Sequence, residues 1–436
     1  MLRRLCTCIF IVGRIFLVFA QSASGTISGT VTDPSGAVVP NATVSINNPV
    51  SEYSRTATTD STGHFRFPNL PFNPYHFTVN ATGFASLVQD FEVASTVPVI
   101  VNPSLKLGAA SSTVTVEGGE DLVENDPTFH TDIDRNLIEK LPVESQSSSL
   151  SSIVTLVSPG VAADSNGLFH GLGDHASNSF SIDSQSITDQ QSKVFSNQLP
   201  SNAVQSLEVI SGAPPAEYGG KTSLVIVATT RSGQGITTPT GSVYTSYGSF
   251  GSATGGFDLS YGQKNWGNFV EFDALNTGRF LDPPEFTVFH DKGNEENIFD
   301  RVDYTFTPVD SVHVDLNYSR SWFQTPNAFQ NLNVQNVVSG SGASPSPVFG
   351  NVGNADQRSF IGTFNIYPTY TRVISNNAVF NLGAWVRKDQ YGYFPSGDPL
   401  ADLGPSNLQA AMAVPSIPVK RVGPSTAHEG CFAAPQ

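Results

Sequence analysis

Between Cys8 and Cys431 the chain has no cysteine at all. That stretch can hold neither a disulfide framework nor a cysteine metal site, so its folded parts must be held by packing and backbone hydrogen bonds. Charge is also scarce: 14% of the 436 residues are Asp, Glu, Lys or Arg, against roughly 25% in ordinary soluble domains. With 37 acids against 22 bases the net charge is −15. Nowhere do Lys and Arg gather into a stripe, which excludes a surface that tracks phosphates and makes nucleic acid no partner. Long apolar runs are missing too. The longest, Ile9 to Phe19, is broken by Arg14 and falls short of the ~20 residues needed to span a bilayer as a helix. What remains is rich in Gly (38), Phe (30), Ser, Thr and Asn, a composition that favours β-structure.

The first 20 residues read as a secretory signal peptide: Arg3 and Arg4 supply the basic region, Ile9 to Phe19 the apolar run, and Val18-Phe-Ala20 the cleavage site. Residues 25–107 then alternate short β-runs with turns. Thr26 to Thr32, Thr43 to Ile46, His64 to Phe67 and Tyr75 to Ala81 are expected strands; Asp33-Pro-Ser-Gly36 and Asp60-Ser-Thr-Gly63 are expected turns. Val44 and Ile46, Phe65 and Phe67, and Phe77 and Val79 repeat at period two, which gives each strand one apolar face and predicts a seven-stranded type of β-sandwich. The runs GTISGTVTDPSGAVVPNATVSI, DSTGHFRFPNLP and YHFTVNATGF resemble the carboxypeptidase-regulatory-like domain. That family has Gly near Asn73, and Asn is expected to serve there in a left-handed turn.

The residues reject the enzyme that this family name suggests. A zinc peptidase site needs a His with Glu three residues on, and none of the eight histidines has one; His428 is followed directly by Glu429. His64 and His76 read as strand residues on a solvated face. No catalytic residue, metal site or cofactor is expected.

Residues 111–235 are serine-rich and mixed in pattern. Ser112-Thr-Val-Thr-Val-Glu117 is an extended β-branched run, and Leu150 to Val157, closed by Pro159-Gly160, is a short helix. Phe180 to Asp183, Ala203 to Ile210, Pro214 to Gly219 and Leu224 to Val227 follow, before Thr229-Thr-Arg-Ser-Gly233. In this order they resemble the α+β plug domain of TonB-dependent outer-membrane receptors. Two departures concern backbone freedom: Ser184 stands where the receptors carry Gly, and Lys221-Thr-Ser-Leu224 replaces a Gly-rich pair. The resemblance implies that Asp183, Glu217 and Arg231 are structural, pairing with charges on a barrel wall. It also implies a TonB-type energy-transducing partner, with Thr113, Val114, Thr115, Val116 and Glu117 as the strand that this partner takes hold of by strand addition.

Residues 241–436 carry the clearest physical signal. Phe257, Leu259 and Tyr261 alternate with Asp258 and Ser260. Val270, Phe272 and Ala274 alternate with Glu271 and Asp273, and Val302, Tyr304 and Phe306 with Asp303 and Thr305. Val312, Val314, Leu316 and Tyr318 alternate with His313, Asp315, Asn317 and Ser319; Phe364 to Tyr370 and Ala378 to Val386 follow more loosely. Runs of about nine to eleven residues suit tilted strands that cross a membrane. The connections sort the reading further: 262–267, 307–311 and 374–377 are short, whereas 277–297 and 322–357 are long. Tight turns at one end and long loops at the other are the pattern of an outer-membrane barrel, and a sandwich has no reason for it. Seven strands are fewer than the minimum of about eight, and the family's barrels have roughly 22. The expectation is therefore a partial transmembrane β-barrel in outer-membrane lipid, the front part of an exported receptor of the Oar-like kind, cut by annotation, frameshift or gene decay. A secreted or surface-attached adhesion protein built of β-sandwiches is the alternative from a different class.

Overall fold

The structure is a computed structural model; it describes residues 24–48, 53–93, 97–108, 129–143, 149–163, 169–172, 178–187, 199–212, 214, 218, 223–281, 290–307, 309–325, 358–375, 378–394 and 425–426. The expected signal peptide and the expected partner strand Thr113 to Glu117 lie outside the described residues, as do Glu217 and Lys221. The chain is mainly β. Among the described residues no helix is long and apolar enough to cross a membrane, which says nothing of strands.

Seven strands build the first unit: β1 (Ser24–Thr30), β2 (Thr43–Asn47), β3 (Ser54–Thr58), β4 (His64–Pro71), β5 (Asn73–Asn80), β6 (Leu87–Val93) and β7 (Val99–Ile100). They form two sheets, β4-β1-β7 and β3-β2-β5-β6. The period-two residues meet between them: Val44, Ile46, Phe65, Phe67, Phe77 and Val79 are all buried, together with Ile27 and Tyr75, in one core. Phe77 lies at its centre, 5.3 Å from the Phe65 ring and 5.5 Å from the Phe91 ring. Turn Asp60 to Gly63 is closed by the Asp60 carboxylate, which accepts from the backbone N–H of Thr62 and His64. Gly63 holds φ +71, and a Cβ there would stand 2.8 Å from Val31 O. One expectation needs correction. The left-handed asparagines are Asn41 and Asn69, at φ 57 and 56; Asn73 is the first residue of β5 and buried, because the chain changes sheet there instead of turning back in a hairpin.

The middle unit comprises β8 (His130–Asp134), α1 (Arg135–Lys140), α2 (Leu150–Val157), the ribbon β9 (Val161–Ala163) and β10 (Phe169–Gly171), the hairpin β11 (Asn178–Ile182) and β12 (Gln185–Ile187), β13 (Val204–Ser211) and β14 (Leu224–Thr230). Its main sheet has the order β12-β11-β14-β13-β8. Every residue of β14 is buried, as a central strand covered on both faces requires. Asp134 caps α1 by accepting from Leu137 N–H. The β11–β12 turn places two non-glycine residues, Asp183 (φ 44) and Ser184 (φ 77), in the left-handed region, as a two-residue turn matched to strand twist demands. Replacing Ser184 by Gly removes a conformational cost of about 1 kcal/mol. The Ser184→Gly chain is expected to unfold at higher urea than the parent, and an equal or lower midpoint refutes the claim.

The third unit is one large antiparallel sheet, hereafter the wall: β15 (Thr240–Tyr247), β16 (Ala253–Gly262), β17 (Trp266–Thr277), β18 (Gly293–Thr307), β19 (Asp310–Gln324), β20 (Arg358–Ser375), β21 (Ala378–Gly383), β22 (Val386–Phe394) and β23 (Ser425–Thr426). Each strand pairs with the next; β21 and β22 both pair with β20 in one continuous register and so act as one interrupted strand. Among the described residues the sheet does not close. Strands β17 to β20 run to 12, 15, 15 and 18 residues, longer than the nine to eleven expected, because pairing continues past the apolar stretch at the long-loop end. By strand pairing, β16–β17, β18–β19 and β20–β21 are joined at one end of the sheet, where 263–265 form a tight turn. Strands β15–β16, β17–β18 and β19–β20 are joined at the other, where the connection 248–252 is also short.

Candidate functional site: the polar seam between the middle unit and the wall

Alternation along the wall strands sorts side chains by polarity in the reverse of a water-soluble protein. The covered face carries Asp258, Ser260, Glu271, Asp273, Asn297, Arg301, Asp303, Asp315 and Ser319, each at most 7% exposed. The uncovered face carries Val243, Phe257, Leu259, Ile298, Val302, Tyr304, Phe306, Tyr318 and Phe364, each at least 38% exposed. A soluble sandwich would gain by the opposite arrangement. Asp300 is an exception on the uncovered side, and Asn268 donates to it. At the tight-turn end the uncovered face is aromatic: Tyr261 packs edge-on against Trp266 at 5.6 Å, and Tyr304 against Phe306 at 4.8 Å. Amphipathic rings in a row at one level are what a membrane–water boundary selects.

The middle unit fills the covered side. Its core is continuous with the wall, since Phe269 and Phe299 join Ile133, Ile153, Phe180 and Ile226 in a single buried cluster. Around that cluster several of the polar groups meet in pairs. Arg301 is the centre of the largest group: its Nη2 lies 3.0 Å from Asp303 Oδ1, its Nη1 3.1 Å from Asp183 Oδ2, and its Nε 3.9 Å from Asp315. Arg301 Nη1 also donates to Thr230 Oγ1 at 2.9 Å. Asp183 in turn accepts from Thr230 N–H at 3.1 Å and from its hydroxyl. Thus the β11–β12 turn, the end of β14 and the wall are tied at one guanidinium, whose planar fork suits several carboxylates at once.

A second pair lies nearby. Arg231 bridges Asp258 at 2.9 Å and covers the Phe269 ring at 4.5 Å; burial lowers the guanidinium's pKa, and Asp258 counters it. Gln185 and Asn365 exchange two amide hydrogen bonds, 2.9 and 2.7 Å. The segment leaving β14 then presses on the wall: Ser232 donates to Asp303 at 2.6 Å, Gln234 to Thr305 at 2.8 Å, and a Cβ on Gly267 would stand 2.0 Å from Gln234 N.

Asp183 and Arg231 are thus each paired with a wall charge. Arg301, the residue that joins most of these contacts, was missed in the sequence. A signal existed: extending the Asp303 and Thr305 row by one inward position reaches Arg301, a cation on a face otherwise acidic or amide-bearing. Among the described residues no group of His, Cys, Asp and Glu is arranged to hold a metal ion.

Residues 26–106 match the carboxypeptidase regulatory-like domain family. Over 228 residues, 49% of this chain, the sequence is 28% identical to the TonB-dependent transporter Oar of Myxococcus xanthus, of which the match covers 21%. Among solved structures it is similar to the alcaligin outer-membrane receptor FauA of Bordetella pertussis (TM-score 0.43, 12% identity, 62% of this chain and 40% of that one). It is similar also to the ferric-catecholate import receptor Fiu of E. coli K12 (TM-score 0.44, 15% identity, 61% and 39%). The chain therefore spans well under half the length of each of these proteins.

Proposed function

We propose that this chain, in which residues 26–106 match the carboxypeptidase regulatory-like domain and 49% of the length resembles a TonB-dependent transporter, forms part of a TonB-dependent outer-membrane receptor. Its middle unit is the plug and its large sheet a stretch of barrel wall. The reversed polarity of the wall carries the reading. An apolar face rimmed by aromatics fits outer-membrane lipid, and a charged inner face needs a domain that brings matching charges, as Asp183 and Arg231 do. The work is transport, not catalysis: energy from a periplasmic partner displaces the plug so that a substrate can pass. The partner takes Thr113 to Glu117 by strand addition.

Two experiments test this. Ile298 sits on the uncovered face, 38% exposed, opposite Phe272 and well along β18 from the aromatic rim at Tyr304 and Phe306. In a bilayer, Ile298→Arg is expected to cost about 2 to 4 kcal/mol of folding stability. On the solvated surface of an adhesin the same change stays within about 0.5 kcal/mol, and that result sinks the membrane assignment. For the partner strand, Val114→Pro removes a backbone donor and is expected to abolish site-specific crosslinking to the energy-transducing protein; persistent crosslinking places the handle elsewhere.

A further inference from the structure

The sandwich is joined to the rest of the molecule in a different way from the plug. The plug and the wall share one buried apolar cluster. The sandwich keeps its core to itself, every member of it lying between Ile27 and Leu105. Where the sandwich meets the plug, Tyr53, Pro71 and Phe72 on one side face Ile133, Leu207 and Val227 on the other across a narrow cleft. Polar contacts among the described residues include three that tie the sandwich to the plug and the wall. Asp60 bridges Lys264 in a tight turn of the wall. Arg66 Nη1 donates to Thr305 Oγ1 at 3.2 Å, and Asn69 Nδ2 donates to Thr230 O at 2.8 Å.

The third contact is the informative one. Thr230 is the residue that Arg301 and Asp183 hold at the plug–wall seam, so one residue carries the grip of the sandwich, the plug and the wall together. Thr305, which receives Arg66, also receives Gln234 from the segment leaving the plug. The sandwich therefore touches the last plug strand at Thr230 and the wall at Thr305, and at each of these residues the plug or the segment leaving it is fastened to the wall. The left-handed turn at Asn69, φ 56, presents the amide for this purpose.

We infer that the sandwich is a detachable clamp: it bridges the exit of the plug's last strand and the tight-turn rim of the wall, and it comes away as a folded unit while the plug stays seated. Polar junctions without a shared core separate far more readily than apolar ones. The Asp60–Lys264 pair is solvent-accessible, 26% and 63% exposed, and so is open to salt screening. What the clamp keeps shut rests on the receptor reading above; the detachment does not.

The test uses the full chain in detergent micelles with its three native cysteines replaced by Ser. One reporter, Ser61→Cys with Gln263→Cys, flanks the Asp60–Lys264 contact; a second, Gln185→Cys with Asn365→Cys, spans plug and wall. Each is treated with a short bismaleimide at low salt and at about 1 M salt, where the Debye length is about 3 Å. High salt, or Lys264→Glu at low salt, is expected to lower the first crosslink severalfold and leave the second unchanged. An unchanged first crosslink under both conditions, or a parallel fall of both, overturns the clamp. Full retention of stability in the charge substitution on the uncovered wall face described above overturns the receptor reading, and the clamp's purpose with it, and leaves the detachment standing.

Discussion

Arg301→Met is expected to destabilise the packed plug and wall by about 3 to 5 kcal/mol, the range found when one partner of a buried ion pair is removed. The size follows from what stays behind. Asp183, Asp303 and Asp315 are 4%, 7% and 3% exposed, and all three lie within 3.9 Å of this one guanidinium. Methionine fills the space of the side-chain stem but leaves three carboxylates with no cation between them. Removing a single acid is milder: Asp183→Asn keeps one acceptor for the Thr230 N–H and leaves Arg301 its fork to Asp303. Urea unfolding of the chain in detergent, followed by intrinsic fluorescence, measures both. A loss below about 1 kcal/mol for Arg301→Met would mean that the seam is hydrated and that Arg301 does not fasten the plug.

Phe77→Ala is expected to cost the sandwich about 3 to 5 kcal/mol. Residues 24–108 have their own core and a complete pair of sheets, so this segment expressed alone should unfold in one cooperative step. For a domain of this size the whole stability is about 4 to 12 kcal/mol. The substitution therefore removes a large share of it, and the isolated variant should stand at the edge of folding. Phe77 is fully buried, with the Phe65 and Phe91 rings beside it, so losing the ring opens a cavity in the core. Val88→Ala is the control: Val88 is 57% exposed, and a change there should stay within about 0.5 kcal/mol. Thermal unfolding by circular dichroism decides. Equal losses at the two positions would refute the assigned core.

Much of this was legible because β-strands write their environment at period two. Val44, Ile46, Phe65 and Phe67 announced a sandwich core, and the row from Val302 to Phe306 announced a wall with one apolar and one acid-bearing face, since consecutive side chains must point to opposite sides. Turn residues added the spacing. Asn73 was misassigned as left-handed, because whether a chain doubles back or crosses to the other sheet is set by where the next strand finds its partners. The extent of β18 to β20 was underestimated for a similar reason: pairing needs only backbone groups, and it continues where the apolar pattern has stopped.

By itself, then, the amino-acid sequence determined the β-character of the sandwich and of the wall, the wall's two faces and the absence of a cysteine framework between Cys8 and Cys431. These follow from local periodicity and composition, which no distant contact can alter. Tertiary structure alone decided which charges meet. Asp183 and Arg301 are 118 positions apart, and Asn69 and Thr230 are 161 apart. Nothing in the spacing of residues so far apart encodes their contact. Only the seating of the plug on the wall, driven by the shared cluster around Phe269 and Phe299, carries Arg301 to the plug turn and brings the sandwich's amide to the same strand end.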